Sequence, residues 1–139
     1  MDFSIGELSR RAQVKVPTIR YYEQIGLLAP PPRSEGKQRR YGENDASRLN
    51  FIRHARELGF EIDAIRELLD MSGQPDRSCE EADRIARHHL DEVDKRITRL
   101  TALRGELTRM ILECGHGRVG ECRVIQVVAD HELCQVERH

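Results

Sequence analysis

The chain has 139 residues, 34% of them charged and 38% hydrophobic, with no Trp and aromatics at 4%. This is the length of one ordinary domain, with modest means to build a core. No run approaches the ~18 apolar residues of a membrane span, and MDFSIGELSRR lacks the apolar stretch of a signal peptide, so a soluble cytoplasmic protein with no membrane partner is expected. In a reducing compartment its four cysteines read as thiols or ligands ahead of disulfides. The net charge of -1 hides an asymmetry: residues 1–56 carry eleven Lys/Arg against six Asp/Glu (+5), residues 57–139 twelve against eighteen (-6). A basic head on an acidic body points to a head that meets a polyanion.

Ser4-Ile5-Gly6-Glu7 has the spacing of a capping box and predicts a helix with Ile5, Leu8 and Ala12 on its apolar face, running out near Gln13. Pro17 suits a first helical turn, and the second helix reads Thr18-Ile19-Arg20-Tyr21-Tyr22-Glu23, stopping before Gly26. Two short helices joined by a tight turn form a candidate helix-turn-helix. From Leu27 to Tyr41 the prolines Pro30, Pro31 and Pro32 and the glycine Gly36 exclude a continuous helix. Arg33, Lys37, Arg39, Arg40 and Tyr41 make this segment a basic wing of the kind that lies along DNA phosphates. Two core helices follow, one from near Asn44 to Gly59, the other from Ile62 to Ser72-Gly73, with Arg53 and Arg56 as further phosphate contacts. The breaker Ser72-Gly73-Gln74-Pro75 is the expected boundary of a DNA-binding domain at 1–75.

Glu80 to Leu112 contains no Pro, and Ala86, Leu90, Val93, Ile97, Leu100, Leu107 and Ile111 follow a 3-4 alternation, with Leu103 substituting where Arg104 breaks it. Such a pattern predicts a coiled-coil seam. A small head cannot cover so long a stripe, so residues 76–113 are read as a dimerisation helix paired with a second copy. Cys79 and Cys114 flank it, 35 residues or ~52 Å of helix apart, and cannot meet within one chain. In an antiparallel dimer each Cys79 would lie beside the partner's Cys114. Cys122 follows after a turn containing Gly115, Gly117 and Gly120, which can bring both thiols onto one ion. Residues 114–139 are thus read as a metal-binding loop and tail. Three thiolates suit Hg, Cd or Pb, whereas Zn wants a fourth ligand. His116 could supply one. Cys134, near His131 and His139, reads as an auxiliary ligand, a metal-capturing tail or a simple thiol.

Ile5-Gly6-Glu7-Leu8, Thr18-Ile19-Arg20-Tyr21-Tyr22-Glu23, Gly26-Leu27-Leu28, Arg39-Arg40-Tyr41 and Leu58-Gly59-Phe60 resemble the signature of the MerR family of bacterial regulators. The resemblance implies a mainly α fold: a winged helix-turn-helix head, a long helix forming an antiparallel coiled coil in a homodimer, and a C-terminal metal-binding loop. It implies activation of a metal-resistance promoter by distorting double-stranded DNA so that RNA polymerase can start. Arg20 and Tyr21 match recognition-helix positions and Arg33, Arg39 and Tyr41 wing positions, with Thr18 and Arg40 beside them. Gln38 stands where the family often has an aromatic. Cys79, Cys114 and Cys122 match the ligands of the branches sensing divalent mercury, cadmium, lead or zinc. The copper(I) branch resembles this chain in its seven-residue loop but has serine in place of Cys79. A copper(I)-responsive regulator, a thiol-redox regulator and a metal-storage protein without DNA binding are the alternatives. No phosphate loop, nucleophile elbow or recognisable carboxylate pair suggests an enzyme.

Overall fold

The structure, a computed structural model, describes residues 2–31 and 40–135. These form six α-helices: α1 (Ile5–Ala12), α2 (Val16–Gln24), α3 (Glu43–Glu57), α4 (Ile62–Ser72), α5 (Glu80–Leu112) and α6 (Arg123–Ala129). Single 3-10 turns occur at Val119–Glu121 and His131–Leu133. Two compact units, Met1–Ile85 and Ala86–His139, divide within α5. The breaker at Ser72–Pro75 lies between α4 and α5, and the first turns of α5 group with the head.

The head is built around one apolar cluster. Its first helix starts where Ser4 Oγ accepts the Glu7 N–H at 3.2 Å, satisfying one of the amides a helix start leaves open. It ends at Gln13, in the left-handed region at φ 54°, with its N–H returned to the Ser9 carbonyl. Pro17 then sits in the first turn of α2, where its missing N–H costs nothing. Leu8 and Ala12 of α1, Ile19 and Tyr22 of α2, Leu49 and Ile52 of α3, and Ile65 and Leu69 of α4 all point into the cluster. The i, i+3 and i+4 spacing of these residues is what lets four short helices share one core.

The corner after α2 is secured from behind. Gly26 takes φ 81°, a conformation that L side chains rarely adopt, and the Leu27 and Leu28 amides both return to the Tyr22 carbonyl at 2.9 and 3.2 Å. Arg66 of α4 donates to the Ile25 carbonyl at 2.8 Å and Arg48 of α3 to that of Leu27 at 2.5 Å. Phe3 and Tyr41 pair as an antiparallel bridge through two amide-to-carbonyl bonds of 2.6 and 2.8 Å. The bridge fixes the point at which the chain re-enters the head.

The second unit is sparser. Among the described residues it buries only Met110 and Val127 as hydrophobics, together with the carboxylate residue Glu106. Leu90, Ile97, Leu100, Leu107 and Ile111 of α5 are exposed on the single chain. The C-terminal segment, read from sequence as loop and tail, contains α6, with Val127 buried. No helix among the described residues is long and apolar enough to cross a membrane.

Candidate DNA interface and metal centre

Helix α2 sorts its side chains by direction. Ile19 and Tyr22 are buried, while Arg20 is exposed and Tyr21 is 49% exposed, its ring 6.0 Å from that of Tyr22. Thr18, in the first turn, is half-buried. The outward face thus presents a guanidinium able to fork onto a guanine edge or a phosphate. Tyr21 beside it has a phenol hydroxyl able to reach either. Arg40 is also exposed, whereas Arg33, Arg39, Lys37 and Gln38, expected in the wing, lie outside the described residues.

Tyr41 departs from expectation. It is 0% exposed and its hydroxyl donates to Glu23 Oε1 at 3.0 Å. It closes the core behind the basic segment, its backbone held against Phe3 and its ring turned inward. Arg53 is half-buried and pairs with Glu57 at 3.1 Å, and Arg56 donates to the Phe60 carbonyl at 3.1 Å while remaining exposed. Reasoning from sequence overlooked Arg48 and Arg66, whose bonds to the corner carbonyls orient the end of α2. A basic residue among the apolar positions of a core helix was the available signal.

No disulfide links the four cysteines. Cys79 is exposed immediately before α5, and its carbonyl accepts the Asp83 N–H at 2.9 Å. Cys114 and Cys122 are partly buried, and their Sγ atoms lie 3.8 Å apart. That separation follows from local structure. Cys114 comes off the end of α5, the chain turns through His116 at φ 54°, and Cys122 opens α6. Two thiolates on one tetrahedral ion at about 2.3 Å from each sulfur would stand about 3.8 Å apart, so the pair fits one metal without rearrangement. The Cys122 thiol is held below the ordinary thiol range, chiefly by the Ile125 backbone N–H. Cys114 and the Val124 N–H add to this, and partial burial opposes it. A thiol already inclined to ionise loses its proton to an arriving cation more readily.

Among the described residues no three Cys, His, Asp or Glu side chains gather into a group that could hold an ion. Of the two further candidate ligands, His116 is exposed and Cys134 hydrogen-bonds the Glu106 carboxylate.

Residues 3–72 match the family described as MerR HTH family regulatory protein, and residues 46–110 match the family described as MerR, DNA binding. The chain is 42% identical over 113 residues to the HTH-type transcriptional regulator ZntR of Escherichia coli K12, covering 81% of this chain and 80% of that one. It is 35% identical over 127 residues to heavy metal-dependent transcription regulator 2 of Rhizobium meliloti, covering 91% and 86%. The crystal structure of a transcription regulator from Ralstonia metallidurans in complex with lead(II) superposes with a TM-score of 0.78 at 36% identity, covering 91% of this chain and 98% of that one.

Proposed function

Because the chain belongs to the MerR HTH family of regulatory proteins, we propose that Cys79 of one subunit joins Cys114 and Cys122 of its partner on a single divalent ion. The protein is a metal-responsive, DNA-binding transcription regulator, and regulators of this family bind promoter DNA as dimers. The effector is a thiophilic divalent ion: cadmium, lead, zinc or mercury. Zinc would draw a fourth ligand from His116 or Cys134. The exposed Arg20, Tyr21 and Arg40, with Arg33 and Arg39, read and hold the promoter of metal-resistance genes in the cytoplasm. Thr18 supports them from the first turn of α2.

The observation that carries this reading is the 3.8 Å approach of Cys114 and Cys122 in a polar, glycine-rich turn. Two thiolates suffice for a monovalent ion, and a third suits a divalent one. Cys79 can provide it only from another chain if the α5 helices pair antiparallel. Metal would then tie the start of one long helix to the turn that ends its partner. Where two arrangements of the heads differ in metal affinity, the ion selects one. The selected form distorts the promoter so that RNA polymerase can begin.

The test mixes Cys79→Ser subunits with Cys114→Ser/Cys122→Ser subunits. A heterodimer keeps one complete site, while each parent homodimer has none. Cadmium binding and partial metal-dependent transcription are expected to return only in the mixture. Heterodimers that form without restoring either would overturn the shared site.

A further inference from the structure

The two thiols are cross-tied by charge. Glu113 immediately precedes Cys114 and Arg123 immediately follows Cys122, and Arg123 Nε lies 2.8 Å from Glu113 Oε2. This contact is an ion pair and not a well-directed hydrogen bond. It bridges the same turn that the thiols span. Arg109, one helical turn before Glu113, donates to both of its carboxylate oxygens at 3.0 and 3.2 Å. The same guanidinium pairs with Glu106 and reaches the Leu133 carbonyl at 3.2 Å. Glu106 in turn accepts the Gln135 N–H at 3.2 Å. It is 4% exposed, in a unit whose described residues bury only Met110 and Val127 as hydrophobics.

We propose that Arg109 and Arg123 are positioning residues of the metal centre: through Glu106 and Glu113 they hold the two ends of the turn and the segment after α6 together, so that Cys114 and Cys122 face each other before metal arrives. This rests on the reading of that pair as a metal site. Ordering a glycine-rich turn at the moment of binding would consume part of the metal affinity. A charged clasp orders it beforehand. The two arginines have unequal tasks. Arg123 makes a single ion pair, which any cation of similar reach can replace. Arg109 meets two carboxylates and a carbonyl with one planar fork, which a single ammonium cannot copy.

The test uses full-length dimers carrying Cys79→Ser and Cys134→Ser, and measures how fast diamide links Cys114 to Cys122 without metal. Cadmium affinity is measured separately in the otherwise native chain by chelator competition. Arg123→Met is expected to slow linking and weaken cadmium binding about two- to fivefold, the range of a partly exposed ion pair, with Arg123→Lys restoring both. Arg109→Met is expected to lower both about tenfold or more, because it strands a buried carboxylate, and Arg109→Lys should not restore them. If Arg109→Met loses helicity, the Arg123 variants decide. Linking rate and affinity both within twofold of the parent, or slowed linking with unchanged cadmium affinity, would overturn the proposal. Cadmium affinity that survives Cys114→Ser would instead sink the metal reading, leaving the linking rates to judge the clasp.

Discussion

The head and the C-terminal unit hold themselves together by different means. The head closes a core from four helices, Phe3 and Tyr41, with Arg48 and Arg66 tied to the carbonyls of the corner after α2. Among its described residues the C-terminal unit buries two hydrophobics and relies on Glu106, Arg109, Glu113 and Arg123. Burial of apolar area is non-directional and tolerates no water, so it makes a rigid platform for reading DNA. Ion pairs are weaker but directional, and they leave room for an ion or a second chain to add the missing stability. A regulator needs one half that does not change and one half that does.

The largest expected effect breaks the second half. Ile97 is 55% exposed on the single chain and stands in the middle of the α5 stripe. In the dimer Ile97→Asp would place a carboxylate from each subunit in the seam, at a cost on the order of 3 kcal/mol or more. Sedimentation is expected to show monomers, with DNA affinity falling while the head keeps its fold. A stable dimer would put the seam on another face of α5.

The next effect breaks the first half alone. Leu49 of α3 is 0% exposed in the middle of the head core. Leu49→Ala should destabilise the head by about 2–5 kcal/mol, the lost transfer energy plus the cavity left behind. Denaturant unfolding followed at the head is expected to shift, with the Cys114–Cys122 linking rate unchanged. A parallel fall in linking would mean that the two units do not unfold independently.

Most of this division was legible in the sequence. Helices α1 to α5 follow from apolar spacing, the Ser4 cap and Pro17, and the pairing of Cys114 with Cys122 follows from a glycine-rich turn after a long helix. Several features were not. Helix α6 contains Val124, Ile125, Val127 and Val128, β-branched residues that lower helix propensity. Its i, i+3 pair Val124 and Val127 was the available signal. Tyr41 reads as part of a basic surface because its partners, Phe3 and Glu23, are distant in sequence. The clasp had the same fault: Glu106 and Arg109 are visible as a local pair, but nothing nearby announces Gln135 or Leu133.

The smallest effect sharpens the comparison by leaving both folds intact. Arg20 is exposed on α2 beside buried Ile19, so Arg20→Ala removes no packing from the core. If Arg20 reads a base edge, its loss should weaken specific binding by about 1–3 kcal/mol while non-specific DNA is held almost as before. Arg40, exposed at the edge of the basic segment, should behave differently. A phosphate contact carries no sequence information, so Arg40→Ala should weaken all DNA alike and lower the salt slope by about one. Competition gel shifts over a series of salt concentrations separate the two. Cadmium affinity measured without DNA should match the parent in both variants, since none of Cys79, Cys114, Cys122 and the clasp residues lies on α2 or in the basic segment. If it falls with Arg20→Ala, the head and the metal centre are already coupled without DNA, and the division between a fixed half and a responsive half fails.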